Sequence, residues 1–293
     1  MTQPASGLPA RRHVSLQAGG DRNPLFIFPG ISGNPHTYVD LAARLGGERP
    51  IYAFHLVGTL QECEPVRQVG RLAQLYAADV RSVQPRGPYF LFGYSFGGVL
   101  AFEVARELMS HGEPIGLVIM ADCPAPGYPK PLPAPQRLKL HIQNILELSA
   151  NDRIAYLRER LDNGVMRLQG LIGARPIAEN TDATPLHIQR VNAALYEAYN
   201  HYVPAPLSVD VLFLTADAPP DWPTAVFDDP LMGWGPVLRG RLSQCGVPGA
   251  HLSIFDPENV PILAERVRNA ISQAERFSEL AMPRVGPETV RPS

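Results

Sequence analysis

Residues 93–97, with the sequence G-Y-S-F-G, constrain the fold more than any other part of the chain. The apolar run at 89–92 predicts a buried strand before them, and an apolar pattern of helical spacing follows them to residue 110. A G-x-S-x-G between a strand and a helix is the setting of a nucleophile elbow, although a plain structural turn is the alternative. On so sharp a turn, the backbone of Ser95 is strained and side chains two positions away would collide, which explains both glycines.

Apolar runs and helical patterns alternate along much of the chain. The predicted strands cover 13–17, 24–28, 50–54, 89–92, 114–121, 207–215 and 242–247, and the predicted helices cover 38–45, 66–83, 97–110 and 260–277. This alternation predicts an α/β fold, a mostly parallel sheet with helices on both faces. We expect the first two strands to form an antiparallel hairpin, because turn residues separate them.

Residues 123–205 interrupt the alternation. A proline-rich stretch at 123–135 is followed by three helical patterns, near 136–149, 152–168 and 184–201, with no strand between them. We interpret the 293 residues as one domain, 1–293. Its core would be 13–123 and 206–280, with a helical lid inserted at 124–205 and a proline-rich tail at 281–293. A solvated helical surface is the alternative for the inserted segment.

Composition narrows the functional class. The net charge is −2 and no basic stripe is present, which argues against a nucleic-acid surface. The three cysteines show no disulfide or metal-site spacing. There is no apolar run of leader-peptide length, and none reaches the roughly 18 residues of a membrane span. We therefore expect a cytoplasmic protein with no membrane, nucleic-acid or metal partner.

A serine hydroxyl needs a histidine base, and the histidine needs an acid that orients it. His251 is the best candidate base, because its loop follows the last predicted strand and ends at the same rim as Ser95. A surface loop histidine is the alternative. Two acids remain open: Asp122 follows the strand after the elbow helix, and Asp217 follows the strand after the inserted segment. The loop at 29–34, P-G-I-S-G-N, is either an oxyanion loop with the Ile31 amide facing the serine or an ordinary turn.

Five stretches together resemble the thioesterase domains of non-ribosomal peptide synthetases and polyketide synthases, which have the α/β-hydrolase fold. They are P-L-F-I-F-P-G-I-S-G, G-Y-S-F-G-G-V-L-A-F-E-V-A-R-E-L, G-L-V-I-M-A-D, E-A-Y-N-H-Y-V-P-A-P and G-A-H-L-S-I-F. The resemblance covers roughly residues 13–277, and it favours Asp122 over Asp217 as the acid. It also implies that the backbone amides of Ile31 and Phe96 form the oxyanion hole.

The resemblance implies a reaction as well as a fold. Ser95 would take an acyl chain, a polyketide or peptide, from the phosphopantetheine arm of a carrier protein, and the acyl-enzyme would end by hydrolysis or cyclisation. No metal or bound cofactor is then required. A general carboxylesterase or lipase, an editing (type II) thioesterase and a non-catalytic binding module are the alternatives.

Overall fold

The structure is a computed structural model that describes residues 12–60, 63–133, 185–218 and 228–281, together with 135–136, 139 and 225–226. The contacts between residues divide the chain into two compact units. The first comprises Met1–Tyr128, Leu186–Pro220 and Asp228–Ser293, and the second comprises Pro129–Pro185 and Asp221–Phe227. Apart from residues 136 and 139, the predicted helices near 136–149 and 152–168 lie outside the described residues, and the lid assignment stays a prediction.

The first unit contains a seven-stranded sheet and five α-helices in its described residues. The strands are β1 (His13–Gln17), β2 (Leu25–Phe28), β3 (Ile51–Phe54), β4 (Tyr89–Tyr94), β5 (Ile115–Ala121), β7 (Val211–Ala216) and β9 (Leu242–Val247). The helices are α1 (Val39–Leu45), preceded by a 3₁₀ turn at Pro35–Tyr38, then α2 (Val69–Val83), α3 (Phe96–Ser110), α4 (Leu186–His201) and α5 (Val260–Ala281). In the second unit, β6 (Lys130–Pro131) pairs antiparallel with β8 (Ala225–Val226).

The strand order is β1-β3-β2-β4-β5-β7-β9, and every neighbouring pair is parallel except β1 with β3. One apolar cluster packs on the face covered by α2, α3 and α4, and a second packs on the face covered by α1 and α5. Successive residues of β4 alternate between them: Leu91 belongs to the first cluster, and Phe90 and Phe92 belong to the second. The predicted parallel sheet, covered on both faces, is therefore confirmed.

The predicted hairpin of β1 and β2 is wrong. β1 pairs antiparallel with β3, and β2 lies between β3 and β4. The reason is burial: all four residues of β2 are buried, whereas those of β1 are half-buried or exposed. A strand that is apolar on both faces is favoured in the sheet interior, so the more polar strand occupies the edge. The turn residues at 18–21 therefore connect an edge strand to an inner one.

Candidate active site

Ser95 lies at the tight turn between β4 and α3, with φ 55° and ψ −126°. A side chain at Gly93 would bring its Cβ to 1.9 Å from the Gly97 carbonyl oxygen, and one at Gly97 would come to 2.5 Å from the Phe28 carbonyl oxygen. Both contacts are with backbone, which cannot move aside as a flexible side chain can. The expected crowding around Ser95 is thus present, and positive φ at this non-glycine residue is the strain that such a turn requires.

The adjacent strand end carries Asp122. The Ser95 amide donates to the Ala121 carbonyl oxygen at 3.0 Å, and the Asp122 amide donates to the Leu214 carbonyl oxygen at 2.7 Å. These bonds continue the pairing of β4 with β5 and of β5 with β7 past the strand ends. Ser95 and Asp122 therefore share the carboxyl rim of the sheet, as the sequence predicts.

Asp122 is paired with His251. Its Oδ2 atom lies 2.6 Å from the imidazole Nδ1, and its Oδ1 atom accepts the Ala216 amide at 2.9 Å. The carboxylate side chain is 6% exposed and the imidazole 22%, so the pair is largely shielded from water. An ionised carboxylate can only accept, so the hydrogen of a neutral imidazole lies on Nδ1 and Nε2 is left as the acceptor.

The loop of His251 is held by its own hydrogen bonds. The Ala250 amide donates to Ser253 Oγ at 2.8 Å, and the buried Asn259 amide side chain donates to the Ser253 carbonyl oxygen at 2.9 Å. Gly249 has φ +96°, and a Cβ there would lie 2.5 Å from Asn259 Nδ2. This packing explains why the sequence has glycine two positions before the histidine.

Asp217, the other candidate acid, faces a different neighbour. Its amide donates to the Val247 carbonyl oxygen at 2.9 Å. Its carboxylate lies over Gly246, where an added Cβ would be 2.1 Å from Oδ1. The structure thus brings Asp122 into contact with His251, while Asp217 packs against β9.

The loop after β2 approaches the elbow directly. A Cβ at Gly30 would lie 3.5 Å from the Tyr94 carbonyl oxygen, and the Gly33 amide donates to the Gly30 carbonyl oxygen at 3.0 Å. Ile31 is within this turn, and Phe96 is the first residue of α3, where backbone amides have no acceptor inside the helix. The assignment of these two amides as oxyanion donors stays a prediction.

The helix predicted near 184–201 forms as α4, and its buried residues join the main core cluster. Its Tyr199 ring meets Phe96 edge to face, with 6.1 Å between centroids, and its hydroxyl donates to the Pro124 carbonyl oxygen at 3.0 Å. Because Phe96 directly follows Ser95, Tyr199 forms part of the wall beside the elbow.

Cys123 is the thiol next to this site. Burial raises its pKa well above the usual range, and the negative charge of Asp122 acts in the same direction. The thiol therefore stays protonated at neutral pH, and a protonated thiol is a poor nucleophile. Within the described ranges, no three His, Cys, Asp or Glu side chains are grouped to share a metal ion. None of the helices described there has the length and apolar content to cross a membrane.

Sequence reasoning missed two residues of this region. Trp234 is fully buried, and its indole nitrogen donates to the Cys123 carbonyl oxygen at 2.7 Å, which anchors the peptide after Asp122. The Tyr94 ring contacts the His251 imidazole in a tilted arrangement, with 4.9 Å between centroids. No pattern marks Trp234, since it lies in a loop, whereas Tyr94 lies inside the elbow motif, which by itself gives that position no role.

Known proteins are similar to this chain in sequence and in fold. The chain is 26% identical over 84% of its length to a dimodular nonribosomal peptide synthase of Bacillus subtilis, and 29% identical over 85% to a non-reducing polyketide synthase of Cladonia metacorallifera. It spans 10% and 12% of those relatives' own lengths. The structure is also similar to the solved structure of a serine-to-alanine mutant of YbtT, a type II thioesterase of the yersiniabactin pathway. That similarity has a TM-score of 0.61 and 20% identity, over 90% of this chain and 99% of YbtT.

The family assignment rests on a match that covers most of the chain. The model of the Thioesterase domain family matches residues 23–271, from before β2 into α5, and so includes the elbow, Asp122 and the His251 loop. With its mostly parallel seven-stranded sheet, the chain has the α/β-hydrolase fold and belongs to the Thioesterase domain family.

Proposed function

We propose that this protein is a serine thioesterase that releases an acyl chain, a polyketide or a peptide, from the phosphopantetheine thioester of a carrier protein. Ser95 is the nucleophile, His251 the base and Asp122 the acid of its triad. One observation carries the proposal. The imidazole of His251 is hydrogen-bonded to Asp122 at 2.6 Å and contacts the ring of the residue before Ser95, which supports a base and an acid beside the elbow.

The reaction has two halves. In the first, His251 Nε2 takes the proton of the Ser95 hydroxyl while Oγ attacks the thioester carbonyl carbon. The tetrahedral intermediate collapses, the C–S bond breaks, and the imidazolium returns its proton to the departing thiolate. In the second, water or a hydroxyl or amine of the acyl chain gives its proton to His251 and attacks the ester. Ser95 is then reprotonated, and the product is a free acid or a ring.

Asp122 and the two backbone amides stabilise charge as it develops. The carboxylate holds the Nδ1–H tautomer of His251 and stabilises the imidazolium that forms in each half-reaction. The amides of Ile31 and Phe96 face the carbonyl oxygen as it becomes negative. Loss of one such donor costs about 2.7–4 kcal/mol in other serine hydrolases. This chemistry needs no metal or bound cofactor, because the substrate brings its own phosphopantetheine arm.

A carrier protein is the proposed partner. The support is that the relatives are a dimodular nonribosomal peptide synthase and a polyketide synthase, of which this chain matches about a tenth. The test compares two substrates with one enzyme: an acyl group loaded on a phosphopantetheinylated carrier, and the same acyl group as a simple ester. We expect faster release from the carrier. Equal or faster turnover of the free ester would instead indicate a general carboxylesterase or lipase.

The test includes a matched pair of variants. Ser95→Ala should abolish release from both substrates. Ser110→Ala removes a hydroxyl from the last residue of the same helix, where it donates to the Glu107 carbonyl oxygen at 2.7 Å, and should leave the rate unchanged. Retained turnover in Ser95→Ala would contradict the proposal, and lack of labelling of Ser95 by a fluorophosphonate would favour a non-catalytic binding module.

Editing of misloaded carriers is the second candidate. The similarity to YbtT, described as a type II thioesterase, over 99% of that chain supports it. An editing enzyme removes short, wrongly loaded acyl groups, whereas a chain-releasing enzyme acts on the finished chain. Release rates for an acetyl-loaded and a long-chain-loaded carrier separate the two, since each candidate predicts the opposite order.

A further inference from the structure

Tyr94 touches three parts of the candidate site at once. It immediately precedes Ser95 in the chain, and its ring contacts the His251 imidazole in a tilted arrangement, with 4.9 Å between centroids and 31° between planes. Its hydroxyl donates a hydrogen bond to the His251 carbonyl oxygen. On the side of the loop after β2, a Cβ at Gly30 would lie 3.8 Å from the tyrosine Cδ1 atom.

The ring of Tyr94 is supported by further aromatic packing. Phe255 meets it edge to face at 5.0 Å, and Tyr38 meets Phe255 in the same way at 5.3 Å. Tyr38 is itself anchored beside the Gly30 loop, because its hydroxyl donates to the Phe28 carbonyl oxygen at 3.3 Å. The Tyr94 ring is therefore wedged between groups that are fixed, and it cannot turn away without breaking these contacts.

The Tyr94 hydroxyl stays protonated, as its hydrogen bond to the His251 carbonyl oxygen requires. Burial raises the pKa of Tyr94 well above its ordinary value, and the negative charge of Asp122 acts in the same direction. The phenol consequently stays protonated at neutral and moderately alkaline pH. A carbonyl oxygen can only accept, so the protonated phenol is the form that can bind it.

The bond from Asp122 to His251 does not by itself fix the imidazole. A single hydrogen bond sets the distance between Nδ1 and Oδ2 but allows the ring to rotate about the line that joins them. The plane of the ring decides whether Nε2 faces Ser95. Contact with the tilted Tyr94 ring limits that rotation, and the hydroxyl contact holds the peptide to which the imidazole is attached.

We infer that Tyr94 is a positioning residue for the base: its ring limits the rotation of the His251 imidazole and its hydroxyl fixes the His251 backbone. This inference rests on the proposed function of Ser95 and His251. It gives the second position of the G-Y-S-F-G motif a role in the reaction that a structural turn alone would not require.

Three variants test the inference. Tyr94→Phe keeps the ring that contacts His251 and removes the hydroxyl, and Tyr94→Leu removes both. Tyr89→Phe is the matched control, because Tyr89 lies at the other end of β4, is fully buried, and donates to the Gln84 carbonyl oxygen at 3.1 Å. Each variant is assayed with an N-acetylcysteamine acyl thioester for kcat and KM, and its thermal unfolding is recorded.

Tyr94→Phe should lower kcat by about fivefold, the effect of one lost hydrogen bond, and Tyr94→Leu by about ten- to fiftyfold. KM should stay within about twofold in both, since the tyrosine positions the base rather than the substrate. Tyr89→Phe should lower the melting temperature about as much as Tyr94→Phe does, but it should leave kcat unchanged. The low-field proton resonance of His251 Nδ1–H should broaden in Tyr94→Leu and stay sharp in Tyr89→Phe.

Unchanged kcat in Tyr94→Leu, or an equal loss of kcat in Tyr89→Phe, would overturn the inference. Ser95→Ala, measured in parallel, separates this failure from failure of the proposed function. If Ser95→Ala is inactive while Tyr94→Leu is fully active, the assignment of Ser95 as the nucleophile is supported and the positioning role of Tyr94 is wrong. If Ser95→Ala is active, the proposed function fails, and the inference about Tyr94 fails with it.

Discussion

Backbone strain at single residues coincides with the proposed chemistry. In the part of the chain that the structure describes, the non-glycine residues with positive φ are Ser95, Asp122 and Met232. The first two are the proposed nucleophile and acid, each at the end of a strand. Such conformations cost of order 1–3 kcal/mol and persist where the surroundings enforce them, which is characteristic of functional sites.

The acid can be tested with a nearly isosteric change. Asp122→Asn keeps an oxygen for the Ala216 amide and a residue type that tolerates positive φ, but it removes the carboxylate that holds the His251 tautomer. We expect kcat to fall by a factor on the order of 10⁴, as in other triads, with little change in melting temperature. Stopped-flow release of the thiol measures this.

Asp217→Asn is the control for that prediction. Asp217 also follows a strand of the sheet, but its carboxylate lies over Gly246. The same amide substitution there should change kcat by less than about threefold, because it leaves the imidazole and its acceptor untouched. If Asp217→Asn were the more damaging of the two, the acid would have been assigned to the wrong strand.

At the scale of elements, the close approach of β4, α3 and β2 fixes the elbow. Gly97→Ala would bring a Cβ to 2.5 Å from the Phe28 carbonyl oxygen, so α3 must shift away from β2. We expect a loss of about 1–3 kcal/mol of unfolding free energy and a larger loss of kcat, because the shift moves the Phe96 amide and Ser95 together. Urea unfolding and steady-state kinetics measure the two effects.

Gly70→Ala is the matched helix variant. Gly70 lies near the start of α2, and nothing is within 4 Å of the position that its Cβ would take. Alanine should therefore be neutral or stabilise the protein by up to about 1 kcal/mol, without any effect on kcat. Equal destabilisation by the two substitutions would show that the contact with Phe28 is not the cause.

The sequence predicts the elements well because their patterns are local. The apolar runs that became β4 and β5 and the helical spacing in α2 and α3 each depend on neighbours a few residues apart. The partner of β1 could not be predicted in the same way. Its pairing with β3 is decided by competition among strands for the sheet interior, and turn residues at 18–21 give no information about that competition.

The residues of the candidate site also differ in whether local sequence patterns can predict them. The motif predicts Ser95, and the places of His251 and Asp122 after strands, together with the family resemblance, predict those two residues, because each depends on an element that the sequence predicts. Tyr94 and Trp234 act through contacts with residues more than 100 positions away, His251 and Cys123. Such contacts appear only when the strands are arranged in space.

At the scale of the whole molecule, buried tyrosines make stability depend on alkaline pH. Burial raises the pKa of several of them, namely Tyr38, Tyr76, Tyr94, Tyr199 and Tyr202. The chain has only two lysines, Lys130 and Lys139, so tyrosine and cysteine carry most of its titration in this range. In the unfolded chain the same phenols titrate near pH 10.

The direction in which stability changes with pH follows from the number of protons that each state binds. Above pH about 10 the unfolded chain loses phenolic protons that the folded protein keeps, so the folded state binds more protons and stability falls as pH rises. Each retained proton steepens the fall by about 1.4 kcal/mol per pH unit. Below pH about 9 these groups should contribute no slope. Urea unfolding between pH 8 and 11 measures this dependence.

Tyr76→Phe identifies the source of that slope. Tyr76 is fully buried in α2, and its hydroxyl donates to the His55 carbonyl oxygen at 3.0 Å. The variant should be less stable at pH 8 but lose stability less steeply above pH 10, since one retained proton is gone. A slope identical to that of the parent protein would mean that other groups cause the alkaline loss.

The covalent intermediate tests the central claim most directly. The parent protein is mixed with an acyl-loaded carrier and quenched in acid within milliseconds to seconds, and its intact mass and peptide masses are then measured. We predict an added acyl mass on the peptide that contains Ser95, present in the parent protein and absent from Ser95→Ala. Thioester turnover with the acyl group found on another residue, or undiminished turnover in Ser95→Ala, would contradict the account.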